Sequence, residues 1–483
     1  MAKTYDLVIL GCGPAGERAA ILAAKAGRRV AVVERANVVG GTRINWGTIP
    51  SKTLRESALF VWAHTHHQLE GIRTEIAEEI TVSGFMYREH MVVQRELELI
   101  NRTLGRYSVE VFRGHGRFLD PHQVAVVDED GVKLHELAGD VFVIATGTSP
   151  NHPDDVTFEG TVVFDSDTIL KLPRIPRTMI VLGAGVIGVE YASIFAALGV
   201  DVTLVDTRDE LLPYLDREIA RRLEQELGRL GITIRHGERY QRIARVEGGP
   251  PRVRCETTGG DVLEADVLLY SVGRDGNTAG IGLEAVGIEP TARGLIEVNE
   301  AYQTVQPHIY AAGDVIGYPA LASTSMEQGR QVVRHAFGIP GPLGREGTLP
   351  FAIYAIPEVG TIGATEEDLR RTDSEYVVGR GLYRLNPRGQ IMGDTGGMLK
   401  LLFDLDGLRL LGAHIIGSQA SELVHIGQAF LRADATAFDI AEALYNYPTL
   451  ADLYRHAALE ALREKMQRRP GWQPWTTPRS GQA

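Results

Sequence analysis

The first apolar run, Leu7-Val-Ile-Leu10, predicts a buried strand. Gly11-Cys-Gly-Pro-Ala-Gly16 then reads as a tight turn, Glu17 to Ala26 as an alanine-rich helix, and Val30-Ala-Val-Val-Glu34 as a second strand. About 170 residues later the same order returns, with Ile180-Val-Leu as strand and Gly183-Ala-Gly-Val-Ile-Gly188 as turn, followed by a helix over Val189 to Ala197 and the strand Val202-Thr-Leu-Val-Asp206. In both copies an acid stands 18 positions after the third glycine, Glu34 after Gly16 and Asp206 after Gly188. That is the spacing of a dinucleotide fingerprint. The first glycine makes the turn, the second lets backbone approach a pyrophosphate, and the third lets helix pack on strand. The helix N-terminus offers unpaired N–H groups to the phosphates, and the acid accepts from ribose hydroxyls. Glycines at such turns can also serve packing alone, but two copies in strand-turn-helix context predict two different dinucleotides, or one bound twice.

Composition narrows the class. The chain has 483 residues, enough for about three domains, or two with one split by an insertion. Hydrophobic residues make up 44% and charged residues 23%, which excludes disorder and collagen. No apolar run reaches the roughly 18 residues of a membrane helix. The formal charge of −12 argues against nucleic acid or an anionic membrane as partner. Two cysteines are too few for a disulfide-built secreted fold, and the N-terminus lacks the pattern of a signal peptide, so a cytoplasmic protein is expected. Residues 466–483, rich in Pro and Gly near their end, predict a loose tail whose two tryptophans could dock on the body or on a partner.

A third segment is more specific. Gly40-Gly-Thr-Arg-Ile-Asn-Trp-Gly-Thr-Ile-Pro-Ser-Lys52 resembles the redox segment of the FAD-dependent pyridine nucleotide-disulfide oxidoreductases, Gly-Gly-Thr-Cys-x-Asn-x-Gly-Cys-x-Pro-Ser-Lys. The resemblance continues through Ala145-Thr-Gly147, Val272-Gly-Arg274, Ile309-Tyr-Ala-Ala-Gly-Asp314 and Tyr447-Pro-Thr-Leu450, covering nearly the whole chain. It implies an α/β fold with two Rossmann-like dinucleotide-binding domains, for FAD and NAD(P), and an α+β C-terminal dimerisation domain. By resemblance the FAD domain takes residues 1–150 and 272–345, the NAD(P) domain 151–271, and the dimerisation domain of a homodimer 346–465. The FAD residues so implied are Gly11, Gly13, Pro14, Ala15, Gly16, Glu34, Arg35, Gly41, Thr42, Arg43, Thr48, Lys52, His115, Thr146, Gly147, Asp314 and Ala322, and Gly273 and Arg274 are implied to bind cofactor as well. Those for NAD(H) or NADP(H) are Gly183, Gly185, Val186, Ile187, Gly188, Asp206 and Arg208. No metal is expected.

Two departures carry the functional reading. The two redox-cysteine positions hold Arg43 and Thr48, neither of which can form a thiolate or a disulfide. Cys12 falls in a phosphate-binding turn and Cys255 in an expected strand, and both read as small apolar fillers. Disulfide reduction by the family mechanism is therefore excluded. Near the C-terminus the family's His-Pro and following Glu are Tyr447-Pro448 and Asp452. Tyrosine, with a reference pKa near 10, is a poor base at neutral pH, so Tyr447 either packs at a dimer interface or lines the flavin pocket. Lys52 matches the family lysine beside flavin N5, and Glu190 matches its carboxylate partner. Arg43 could add positive potential near the pocket or reach solvent, with solvent slightly favoured.

A flavoprotein without thiols must pass hydride elsewhere. Within the family, the Trp-Gly-Thr-Ile-Pro-Ser-Lys and Asn446-Tyr-Pro-Thr449 stretches are most similar to the soluble, Si-specific pyridine nucleotide transhydrogenases. The implied reaction moves hydride between NADPH and NAD⁺ through FAD by a ping-pong scheme, with Lys52, Glu190 and Tyr447 as the catalytic candidates. The alternatives are an NAD(P)H dehydrogenase that reduces quinone or oxygen, and a non-catalytic redox sensor. Asp206 suits NAD(H), whereas Arg208 could pair with a 2′-phosphate or face water. The run of His64, His66 and His67 reads as solvated helix surface, and the Glu-Glu-Asp-Leu-Arg-Arg run from Glu366 as an exposed helix face.

Overall fold

The computed structural model describes residues 3–66, 82–341 and 349–474. The chain divides into two compact units, the first of residues 1–176, 242–255 and 264–344, the second of 177–241, 256–263 and 345–483.

In the first unit, strand β1 (Lys3–Leu10) is followed by helix α1 (Pro14–Lys25) and strand β2 (Val30–Glu34). A seven-stranded sheet forms around them in the order Glu110–Arg113, β2, β1, Lys133–Ile144, Gln123–Val127, His115–Asp120, with Ile309–Ala311 also pairing with Lys133–Ile144. The pairs among the first four strands are parallel. Alternation in β1 sends Leu7 and Ile9 to one face, with Ala19, Ala20 and Ala23 of α1, and Val8 and Leu10 to the other, with Phe118 and Phe142. Both faces are covered from Leu7 to Leu10, so that half of β1 carries no polar stripe. Helix α1 starts at the turn, earlier than the periodicity predicts: Gly13 is its N-cap, and Pro14 occupies the first position, where a missing N–H costs nothing.

The second unit repeats the arrangement. Strand β3 (Thr178–Leu182), helix α2 (Val186–Ala197) and strand β4 (Asp201–Val205) follow in turn, and β3, β4 and Thr233–Arg235 pair in parallel. Gly185 caps α2, and from Gly188 to Ala197 every residue of that helix is buried. Such a helix is apolar on nearly every side because it lies in a core, Glu190 and Ser193 being its buried polar exceptions. The C-terminal part of this unit is a five-stranded antiparallel sheet ordered Phe351–Ile353, Val359–Gly363, Leu410–Ile416, Met398–Asp404, Tyr376–Leu382. Helix Leu453–Arg468 packs so closely on it that a Cβ at Gly379 would lie 1.8 Å from the Ala457 carbonyl oxygen.

That helix runs past residue 466, where the tail was expected to begin, and Trp472 beyond it packs against Phe438 and the Lys465 ammonium. Trp475 lies outside the described residues. The Glu366–Arg371 helix is not simply an exposed face. Glu366 is 9% exposed and, with Asp216 and Glu218, surrounds the fully buried Lys400 ammonium. His64 is on the surface of helix Thr48–His66, its ring tilted against Phe60, whereas His67 lies outside the described residues. Among the described residues no group of three or more His, Cys, Asp or Glu could hold a metal, and no helix is long and apolar enough to cross a membrane.

Candidate active site: two dinucleotide cradles and a redox segment without thiols

The first cradle lies at the C-terminal end of β1. Gly11 adopts φ +100°, and a Cβ there would lie 2.3 Å from the Ala145 carbonyl oxygen, so only glycine fits. A Cβ on Gly13, by contrast, would meet only the Gly41 Cα, at 3.9 Å, leaving the α1 N-terminus open to an approaching ligand. No side chain caps that helix, so its first N–H groups, those of Ala15 and Gly16 after Pro14, remain for an anion. Glu34 is buried, with Oε2 accepting the Cys12 N–H at 2.7 Å and Oε1 the Ala36 N–H at 2.9 Å. Each oxygen keeps an acceptor position for a ribose hydroxyl. Arg35 and His115 are exposed beside this end of β2, where Gly114 N–H donates to the Glu34 carbonyl at 3.0 Å.

Other site residues converge in the same unit. Asn277 fixes the Thr146-Gly147 turn, donating its amide to the Thr146 carbonyl at 3.0 Å and its backbone N–H to the Gly147 carbonyl at 2.9 Å. Thr146 Oγ1 is buried with no hydrogen-bond partner among the described residues. Gly313 donates to Gln328 Oε1 at 2.8 Å, which brings Asp314 to the start of helix Ala322–Phe337. In the first turn of that helix Thr324 Oγ1 is likewise buried and unpartnered. Burial pushes the Asp314 carboxyl above the usual carboxylate range, against the opposing pull of Arg274. Arg274, after Gly273, donates to the Thr148 hydroxyl and carbonyl at 2.9 and 2.8 Å. An open helix terminus, an acid with spare acceptor capacity and two orphaned hydroxyls fit FAD, an extended ligand that is anionic at its pyrophosphate and polar along its ribityl chain.

The redox segment overturns one expectation. Arg43, in the short helix Gly41–Asn45, does not reach solvent: its side chain is 11% exposed, and Nη2 donates to Glu17 Oε2 at 2.8 Å, the Glu17 side chain being 5% exposed. The physical reason is that Glu17, in the first turn of α1, is itself buried and needs a cation. Arg43 Nε is buried with no partner among the described residues. Thr42 precedes it beside the turn, and Thr48 is exposed at the start of helix Thr48–His66. Lys52 follows one turn later in that helix, its ammonium 3.4 Å from the Ser51 hydroxyl. Both cysteines are free and buried. Burial, with Glu34 and Glu17 adding to it, pushes the Cys12 thiol up to about 12, so it carries no thiolate at neutral pH. Cys255 lies in strand Arg252–Thr257.

In the second unit Gly183 adopts φ +93°, and a Cβ on Gly185 would meet nothing within 4 Å, so the N-terminus of α2 at Val186 and Ile187 is open as well. Buried Glu190, two residues after Gly188, accepts the Tyr354 N–H at 2.9 Å. Asp206 lies at the end of β4, and Arg208 pairs with it at 2.5 Å. Tyr447 is 76% exposed, so its own chain leaves the ring uncovered. The sequence reading missed Glu17, Asn277 and Gln328. Of these, Glu17 left a signal: an acid in the helix turn beside a phosphate cradle, in a chain with an arginine in place of a cysteine.

Two such cradles, each ending in a buried acid, define a protein built to bind two dinucleotides. Residues 5–329 match the family described as pyridine nucleotide-disulphide oxidoreductase, and residues 349–458 its dimerisation domain. The chain belongs to this family, and it lacks the family's two redox cysteines. It is 44% identical over 460 residues to the soluble pyridine nucleotide transhydrogenase of Mycobacterium bovis, covering 95% of this chain and 97% of that protein. To the protein of the same name from Pseudomonas syringae it is 42% identical over 462 residues, covering 95% and 98%. The structure superposes on LpdA from Mycobacterium tuberculosis with a TM-score of 0.87 at 27% identity, covering 95% of this chain and 99% of that one. It also superposes on the copper(II) complex of RclA, an HOCl-induced flavoprotein disulfide reductase from Escherichia coli, with a TM-score of 0.84 at 29% identity, covering 95% and 100%.

Proposed function

We propose that the protein is a FAD-dependent, Si-specific NAD(P)⁺ transhydrogenase, a homodimer that moves hydride between NADPH and NAD⁺. The observation that carries this is the redox segment: Arg43, buried against Glu17, and Thr48 replace the thiols, and the two remaining cysteines are buried elsewhere. The names of the 42–44% identical relatives support the same reading. Bound FAD supplies a two-electron carrier that takes hydride from one nicotinamide and gives it to another.

The chain's own residues bind and orient. The N–H groups at the start of α1 hold the FAD pyrophosphate, Glu34 accepts from the adenosine ribose, and Asp314 meets the ribityl chain at the open end of helix Ala322–Phe337. Lys52, one turn into helix Thr48–His66, would place its ammonium toward flavin N5 and so favour the electron-rich form. Residues 151–271 form the nicotinamide nucleotide domain and bind NAD(H) and NADP(H) in turn at one site, so the scheme is ping-pong. Glu190 and Tyr447 complete the catalytic set, Tyr447 from the partner subunit, as its exposure here favours.

Anaerobic mixing tests this. NADPH should bleach the flavin of the holoenzyme, and NAD⁺ should restore it without any thiol reagent or quinone. Failure to bleach would leave a non-catalytic binding protein. Bleaching reversed by a quinone but not by NAD⁺ would leave an NAD(P)H dehydrogenase.

A further inference from the structure

Asp206 and Arg208 form a closed ion pair with two unequal sides. Asp206 Oδ2 receives Arg208 Nη2 at 2.5 Å and Nε at 3.0 Å, whereas Oδ1 has only long contacts of 3.3 Å, from Arg208 N and Nε. The carboxylate is 5% exposed and the guanidinium 39%. The backbone of Arg208 is pinned, because its carbonyl accepts the Gly237 N–H at 3.2 Å and lies 3.3 Å from His236 Nδ1. A guanidinium presents five donors in one plane. The Nε/Nη2 edge is spent on Asp206, while Nη1 has no partner among the described residues. Nearby Arg235 is already engaged by Glu238 and Asp261.

We infer that this pair reads both adenosine riboses without opening: Asp206 Oδ1 accepts the 2′-hydroxyl of NAD(H), and the outward Nη1/Nη2 edge of Arg208, aimed by Asp206, takes the 2′-phosphate of NADP(H). The inference rests on the transhydrogenase reading, which needs one pocket for both nucleotides. Asp206 thus becomes a positioning residue for NADP(H) as well as a direct contact for NAD(H). A phosphate placed on that edge is separated from the carboxylate by the guanidinium, so the acid need not leave for NADP(H) to enter. The opposite arrangement, in which Arg208 swings off Asp206 to reach the phosphate, makes Asp206 a competitor for the arginine and a source of repulsion.

A double-mutant cycle on oxidised holoenzyme, titrated calorimetrically with NADP⁺ and NAD⁺, separates the two. Arg208→Gln should weaken NADP⁺ at least about tenfold, the loss of one charge-assisted phosphate contact, and weaken NAD⁺ less, while full FAD content of the variant certifies folding. Arg208→Lys, which lacks the fork, should not restore NADP⁺ affinity. In an Asp206→Ala background the same Arg208→Gln change should cost NADP⁺ less than about threefold, because the guanidinium is no longer aimed. An equal or larger cost in that background overturns the inference. Binding is measured without turnover, so this outcome is independent of whether NAD⁺ reoxidises the flavin.

Discussion

Replacing Arg43 by glutamine should loosen FAD, and the structure sets the scale. Glu17 is 5% exposed and pairs with Arg43 at 2.8 Å, while Arg18 Nε lies farther off, at 3.8 Å. It stands four residues beyond the Gly13 N-cap, about 6 Å along the axis at roughly 1.5 Å per residue. A pyrophosphate charge held at that terminus would therefore lie on the order of 8 Å from the Glu17 carboxylate. At an effective dielectric near 20, a full unit charge at that distance would oppose the phosphate by about 2 kcal/mol, or roughly thirtyfold in FAD affinity, an upper value because Arg18 Nε stays 3.8 Å from the carboxylate. The Arg43→Gln protein should release FAD accordingly, measured as free-flavin fluorescence on dilution and as the dissociation constant of the apoprotein. Adding Glu17→Gln removes the charge that Arg43 compensates and should restore affinity to within about threefold of the parent. The reasoning is refuted if Arg43→Gln retains FAD like the parent, or if the double variant is no better than the single one.

Two further outcomes follow from the same geometry. The Cys12→Ala, Cys255→Ala double variant should keep its NADPH-to-NAD⁺ rate within about twofold, because a buried thiol pushed up to about 12 does no redox chemistry at neutral pH; stopped-flow reduction and reoxidation would check it. Lys400→Met should cost about 3–5 kcal/mol of stability at neutral pH in equilibrium unfolding, since it strands the buried carboxylates of Asp216 and Glu366. That difference should depend on pH. Burial opposes the Asp216 and Glu366 carboxylates, but His414 and Lys400 for the first, and Lys400 for the second, outweigh it and hold both below the ordinary carboxylate range. Their stabilisation is therefore present above about pH 4 and is lost as pH falls through the lowered values, so the gap between the Lys400→Met protein and its parent should narrow in acid. A gap that stays constant would contradict the ion cluster as its source.

What could be read from the chain alone, and what could not, divides by the range of the interaction. The duplicated strand-turn-helix units were legible because every requirement is local: strands covered on both faces show as short apolar runs, and Gly11 must be glycine wherever its carbonyl neighbour lies. The missing dithiol was legible for the same reason, as a defect inside one contiguous segment. The fate of Arg43 was not, because its partner is 26 positions away on the far side of a strand and turn. The Glu366 helix misled in the same way. Its charge pattern is that of a solvated face, and what draws Glu366 inward is one lysine in the strand Met-Leu-Lys-Leu-Leu-Phe-Asp, 34 positions later. A lone cation within a fully apolar run was the available sign, since burying it demands carboxylates from elsewhere in the fold.

Arg43 and Lys400 obey one rule with different consequences. Each is a cation enclosed by the fold whose removal would leave a buried carboxylate without its nearest counter-charge. At Lys400 that debt falls on folding stability, because Asp216 and Glu366 belong to the body of the second unit. At Arg43 it falls on the cofactor, because Glu17 shares a helix terminus with the FAD cradle. A disulfide at residues 43 and 48 would have left Glu17 without Arg43, so loss of the thiol and neutralisation of the acid are one change at residue 43. In this chain the arginine at residue 43 thus has a charge to serve that a small neutral residue could not. It also separates the two positions. Thr48, exposed and without a buried charge to serve, should accept serine or alanine with little effect on FAD retention, whereas Arg43→Ala should not; parallel FAD-release measurements on the two variants decide it, and equal losses would defeat the argument.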